Sequence, residues 1–398
     1  MKLLKSNIAK ILLLLIVFSC VDPIDIKTIT YENYLVIEAT ITDELKNQTI
    51  KLSRTFAIDT NGENPETNAQ VTVIDNENNT YLFNETTQGT YTSVNQFKAL
   101  PNKEYTLKVV TKNGNSYSSK PTLLTTPVQI EKLTTTIKTS TEGAEGVSIS
   151  VHSFNPDNNA NYYRYEYEET YQISPPFWSD EELKVVSANG PYIVEVVKRT
   201  VDNKDCYKTL YSKDILLAET KSLAEDRVNF PVRFILDSDF IISQRYSILV
   251  KQYVQTFAAY NYYETLKKIA SSQNVFAQSQ PGFIAGNILS DADENENVIG
   301  FFEVSSVSEK RLFFNYKDLF PNKTVDFPSD CDFVAPTIYD PFAKRSFLIE
   351  LIQQNTYSYY KENDTGLEHL EGDYILVPKA CGDCTVLGSN SKPSFWIE

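Results

Sequence analysis

Alternation of apolar and polar residues at period two runs through most of this chain, and it constrains the fold more than any other feature. Tyr34–Ile41, Thr49–Phe56, Ala69–Ile74 and Tyr105–Val110 each place apolar side chains at every second position, the pattern of a strand with one buried face. The composition agrees. There are 25 Tyr and 22 Phe against one Met in 398 residues, and aromatic side chains fit a pleated sheet better than a helix. Turn signals separate the alternating runs: Asn61-Gly62, Asp75–Asn79, Gly89 and Asn113-Gly114. Short strands at this spacing over 34–126 predict a β-sandwich of immunoglobulin-like architecture. The Cys…Trp…Cys core of antibody domains is missing from it, and Pro121–Pro127 reads as a linker.

A larger β-rich domain is expected over 127–398. Val147–Val151, Tyr162–Glu168, Val228–Leu236 and Tyr246–Val254 are its clearest strands. Val298–Val304 and Lys310–Phe314 read as a hairpin. In Tyr162–Glu168 the alternation puts Tyr163, Tyr165 and Tyr167 on one face, with Arg164, Glu166 and Glu168 towards the other. One stretch departs from the strand pattern. Over 257–270, Ala259, Tyr262, Tyr263, Leu266 and Ile269 recur at three and four, which predicts an amphipathic helix.

The first 19 residues read as a signal peptide, with Lys2, Lys5 and Lys10 preceding the apolar run Ile11–Phe18. That run is shorter than the ~20 apolar residues of a membrane-spanning helix. It ends at Ser19-Cys20, a small residue before a cysteine, which resembles a bacterial lipobox with Cys20 as the lipidated residue. Residues 20–33 then form a tether. Asp22 and Asp25, interrupted by Pro23 and Ile24, resemble the acidic signal that sends lipoproteins to the cell surface. The expectation is an outer-membrane, lipid-anchored protein, displayed outside the cell.

Net charge is −15 for the whole chain, and without the three signal-peptide lysines it is −18. A field of that sign repels phosphate backbones and argues against nucleic-acid binding. With His152 and His369 the only histidines, most His-based metal and catalytic designs are excluded.

After Cys20, four cysteines remain: Cys206, Cys331, Cys381 and Cys384. An even number in an oxidising compartment reads as two disulfides, with three pairings open. Zinc with His369 and a redox pair at Cys381-Gly-Asp-Cys384 are the weaker alternatives, because neither has the expected local context. The acidic run 291–297 offers oxygens at alternate positions, as a calcium loop does, but Glu296 and Phe302 stand where such a loop needs Gly and Glu. It reads as a solvated turn. Tyr171, Phe177 and Trp178 are the candidates for partner or ligand contact, the last two on a loop stiffened by Pro175 and Pro176. No catalytic set, metal site or cofactor is expected.

Several phrases together resemble one Bacteroidetes lipoprotein family, domain of unknown function four-two-four-nine. They are the lipobox, Tyr34–Thr42, Arg245–Gln252, Gly286-Asn-Ile288, Val298-Ile-Gly-Phe-Phe302, and the ending from Cys381-Gly-Asp-Cys384 to Trp396. Members of that family are predicted lipoproteins, often encoded beside TonB-dependent receptors. The resemblance implies a non-enzymatic accessory or extracellular subunit of such an outer-membrane β-barrel complex, and it carries no catalytic residue. A surface module capturing glycan or peptide for import is the alternative reading.

Overall fold

The computed structural model describes residues 33–56, 64–271, 284, 286–293, 295–364 and 370–397. The signal peptide, Cys20 and the tether up to residue 32 lie outside them, as does His369. The chain is mainly β, with several sheets and a few helices.

The N-terminal sheet grows from the alternating runs. Leu35, Ile37, Ala39 and Ile41 point into its core, with Ile50, Leu52, Val71, Val73, Tyr91, Leu107 and Val109 from neighbouring strands. Its eleven strands are not all contained in 34–126. Ile288–Ser290 pairs antiparallel with Ser116–Ser119, and Val298–Ser305 pairs parallel with Leu35–Thr42. Two strands of the expected sandwich therefore come from more than 160 residues further along the chain. The two ends of the sheet meet at Asn287, whose side chain bonds Phe302 while its carbonyl accepts from the Lys120 N–H.

The expected hairpin of 298–304 with 310–314 is not formed. Val298–Ser305 belongs to the N-terminal sheet, and Val307–Asn315 pairs with Arg245–Val254 in another. Ser306 is the crossing point. Its N–H donates to Thr125 Oγ1, its hydroxyl to the Thr126 carbonyl, and its own carbonyl accepts from Val254 N–H. Near-continuous burial along Val298–Ser305 is the physical reason, because a strand covered on both faces lies inside the molecule and not in an exposed hairpin.

Beyond the linker, a three-stranded sheet (Ile130–Thr139, Glu145–Asn155, Asp226–Leu236) faces one built on Tyr162–Ile173, Arg245–Val254 and Val307–Asn315, with Cys206–Tyr211 and Leu216–Glu219 at its edge. Val147, Ile149, Val151, Tyr163, Tyr165, Ile248 and Val250 fill the space between. Polar pins cross this core. Tyr163 donates to Asp226 at 2.6 Å, Tyr246 to Glu169 at 2.6 Å, and Gln252 ties Ser153 to the Val128 carbonyl. A small third cluster joins the hairpin Glu181–Ser187/Ile193–Lys198 to a helix at Phe347–Gln354 and the pair Tyr357–Glu362/Tyr374–Pro378.

The predicted helix spans Phe257–Ser271 and is called α1 here. Thr256 caps it, its Oγ1 accepting from the Ala259 N–H at 3.2 Å. Ala259 and Tyr262 pack on Phe301 of the N-terminal sheet. The helix thus sits where the two large β units meet.

Candidate ligand-binding cleft

That junction holds a cleft of about 750 Å³, within the size range of small-molecule sites. One wall is the outer face of the N-terminal sheet. Alternation that buries Ile37 and Ala39 turns Val36, Glu38 and Thr40 outward, beside Lys51 on one neighbouring strand and Ile299 and Phe301 on the other. The opposite wall is the polar face of Tyr162–Ile173, where Arg164, Glu166 and Glu168 stand beside Lys251 and Tyr253. Tyr262, Tyr263 and Leu266 of α1 form a third side, and the loop 211–215 a fourth.

Arg164 is the centre of the floor. Its guanidinium lies between two rings, 4.3 Å from the Tyr253 centroid and 4.9 Å from that of Tyr263. Its Nη1 bonds Glu166, and its Nη2 is 3.7 Å from Glu303. Glu303 also takes the Ser305 hydroxyl. Nε of Arg164 is buried without a hydrogen-bond partner among the described residues. Burial works against the Arg164 charge, but Glu303, Tyr263 and Glu166 outweigh it and hold the guanidinium protonated. Burial also pushes the tyrosines up, Tyr262 to about 12 and Tyr253 higher, the latter reinforced by Glu166, to which its hydroxyl donates at 2.9 Å. All remain protonated donors at neutral pH. The rim is more open. Tyr211 is 69% exposed, and Glu38, Lys51, Lys213 and Asp214 form no ion pair within 4 Å among the described residues.

None of the three residues singled out for contact lines this cleft. Tyr171 is buried in the second core, edge-on to Phe240, so it offers no surface to a partner. Phe177 and Trp178 are half-buried. Phe177 packs edge-on to Phe333 and Tyr360, and its N–H donates to the Cys381 carbonyl. Trp178 Nε1 donates to Asn203 at 3.0 Å, with the Lys204 ammonium over its ring. The stiff loop is fastened to the carboxyl-terminal segment, which explains its aromatics by packing.

The cysteines do pair. Cys206 bonds Cys384, and Cys331 bonds Cys381. Each cysteine of the CxxC reaches a different partner: Cys384 ties the carboxyl-terminal segment to the strand Cys206–Tyr211 of the second β unit, and Cys381 ties it to the loop that carries Cys331. Among the described residues no group of His, Cys, Asp or Glu is arranged to hold a metal ion. In the acidic turn, Glu296 accepts the Tyr117 hydroxyl at 2.6 Å and Asp293 accepts from Asn295. Glu294 lies outside the described residues. His152 bonds Thr134 across a strand pair and is held below its usual pKa by burial, then by Lys132. Also among the described residues, no helix is long and apolar enough to cross a membrane.

The alternation of Tyr162–Glu168 separates Arg164, Glu166 and Glu168 from Tyr163, Tyr165 and Tyr167. Tyr163 and Tyr165 are buried in the core and Tyr167 is half-buried, while the charged face lines the cleft.

Comparison with curated proteins finds no match. A family model matches residues 21–311, a span that includes both cleft walls, α1 and the Asn287 closure, and stops before Cys331, Cys381 and Cys384. Over that span of nearly three quarters of its length, the chain belongs to the family described as Domain of unknown function (DUF4249).

Proposed function

We propose that this protein is an outer-membrane-anchored lipoprotein that works by binding and not by catalysis. In this reading it captures a ligand in the cleft and serves a TonB-dependent receptor or related outer-membrane barrel as an extracellular accessory subunit. The carrying observation is the cleft itself: two sheet faces and one helix converge on a tyrosine-lined space around Arg164, whose buried Nε has no partner among the described residues. The sequence Ser19-Cys20 supports the anchor, acyl chains on Cys20 holding the protein at the membrane surface. Support for a non-catalytic role comes from the acids and tyrosines with displaced pKa values. Burial, reinforced by Asp226 and by Glu169 respectively, raises Tyr163 and Tyr246. Burial works against the Asp226 charge too, but hydrogen bonds from Thr220, Tyr163 and Asn155 overcome it and hold Asp226 low, so these shifts follow from core packing away from the cleft.

Two experiments test the reading. Metabolic labelling with an alkyne fatty acid is expected to mark the wild-type chain and not Cys20→Ala. A mild-detergent pull-down of the tagged chain from native membranes is expected to bring a stoichiometric barrel with it. A clean monomer would sink the accessory-subunit part of the reading.

A further inference from the structure

The cleft's chemistry narrows what it holds, and this step rests on the binding role proposed above. We infer that its ligand is an uncharged saccharide. Three observations converge on that class.

The first is the charge at the floor. One guanidinium, Arg164, already faces two carboxylates, Glu166 and Glu303. Across the lining, Lys51, Arg164, Lys213 and Lys251 are matched by Glu38, Glu166, Glu168 and Asp214, so the cleft holds no net positive charge to draw in a carboxylate, sulfate or phosphate. A neutral ligand whose oxygens donate and accept suits such a balanced lining without adding charge to it.

The second is the nature of the walls. Both are sheet faces. Leu35–Thr42 is hydrogen-bonded on either side by Thr49–Arg54 and Val298–Ser305. Tyr162–Ile173 is bonded by Arg245–Val254 on one side and by the 206–219 segment on the other. Both edges of each of these two central strands are therefore paired among the described residues, and neither strand offers an extended peptide a ladder to join. Recognition here runs through side chains.

The third is what those side chains are. Tyr211 is 69% exposed and Tyr167 and Tyr263 are half-buried in the lining, so ring surface with a polar tip is present there, while Tyr253, Tyr262 and Phe301 are buried behind it. Glu38 and Lys51 stand opposite each other in strand register, and neither they nor Lys213 and Asp214 on the loop form an ion pair among the described residues. Carboxylates that accept and ammoniums that donate, set between aromatic faces, match a ligand with apolar ring faces and hydroxyls around its edge. Each hydroxyl both donates and accepts.

Calorimetric titration of the full lipidated chain in detergent tests this with three probes: short neutral oligosaccharides, the same chains carrying uronic acids, and tripeptide mixtures. Neutral oligosaccharides are expected to bind and the acidic ones to bind more weakly. Tyr211 is exposed, so Tyr211→Ala keeps the fold and is expected to weaken binding about three- to tenfold, the loss of one aromatic contact. Glu38→Gln provides a second variant that leaves the core untouched. Preference for the acidic sugars or for tripeptides overturns the saccharide assignment. If that preference is lost in Tyr211→Ala, the cleft remains the binding site and only the ligand class fails. Sugar binding unchanged in both variants removes the cleft as its place, and no heat from any probe overturns the inference outright. Whether a barrel co-purifies is independent of all these outcomes.

Discussion

The side-chain amide of Asn287 takes the place of a strand residue opposite Phe302. Its Oδ1 accepts from the Phe302 N–H at 2.7 Å and its Nδ2 donates to the Phe302 carbonyl at 2.8 Å. Both groups are buried, so the pair closes the N-terminal sheet without a further strand. Gly286 and Gly300 make the approach possible. A Cβ on Gly286 would lie 1.6 Å from the Gly300 carbonyl oxygen, and one on Gly300 would lie 2.3 Å from that of Ile37.

Asn287→Ala leaves two buried backbone groups without partners and is expected to cost about 2–4 kcal/mol. Urea unfolding measures it. Gly286→Ala, which forces backbone apart, is expected to cost more than Asn287→Ala. A stability within experimental error of wild type for either variant contradicts the closure described.

Peptide mapping without reduction is expected to find Cys206 linked to Cys384 and Cys331 to Cys381. The Cys331–Cys381 bond closes a 50-residue separation, so Cys331→Ser with Cys381→Ser is expected to lower stability by about 4 kcal/mol in the chain-entropy view. A peptide linking Cys381 to Cys384 would refute this connectivity.

Asp226 is buried and accepts from Tyr163, Thr220 and Asn155. Burial pushes its pKa up, but the hydrogen bonds from Thr220, Tyr163 and Asn155 win and hold it below the ordinary value. A carboxyl depressed in the folded state contributes stability that is complete above its unfolded pKa of about 3.9. That contribution disappears as pH falls through the lower folded value. Thermal melts from pH 7 down to about pH 2, through the lowered folded value, are expected to show this acid loss in wild type and a flatter profile in Asp226→Asn, which starts from a lower melting temperature.

Trp178→Ala breaks the bond to Asn203 and empties a half-buried site. Destabilisation of about 2 kcal/mol is expected, with ligand affinity unchanged. Loss of affinity at intact stability would return the Trp178 loop to the binding surface.

Much of the fold is legible in the sequence because burial imposes a period on it. Leu35, Ile37, Ala39 and Ile41 announce a strand, and Ala259, Tyr262 and Leu266 a helix, through spacing alone. Partnership is another matter. Alternation shows that Leu35–Thr42 is a strand but not that its neighbour begins at Val298, because pairing is fixed by the three-dimensional arrangement of the whole chain. Cysteine spacing likewise left three pairings open until Cys206 was seen beside Cys384. The cleft was half legible. The two faces of Tyr162–Glu168 were separated correctly, yet nothing in one strand tells which face meets another unit. Arg164 became recognisable as a site residue only with Tyr253, Tyr263 and Glu303 around it. At the Pro175-Pro176 loop the stiffness is visible in the sequence, and the fastening to Cys381 and Asn203 is not.

One other exposed feature competes with the cleft as a contact point. Phe342 is 96% exposed at the tip of a turn in which Asp340 accepts from the Phe342 and Ala343 N–H groups. Photo-crosslinking in living cells separates the two most directly, with a photoreactive phenylalanine analogue placed at Tyr211 in one strain and at Phe342 in another. Capture in the cleft predicts a light-dependent adduct from position 211, diminished when Glu38→Gln is added. Adducts from position 342 alone, with none from 211, would contradict the claim that this protein binds its ligand between its two sheets.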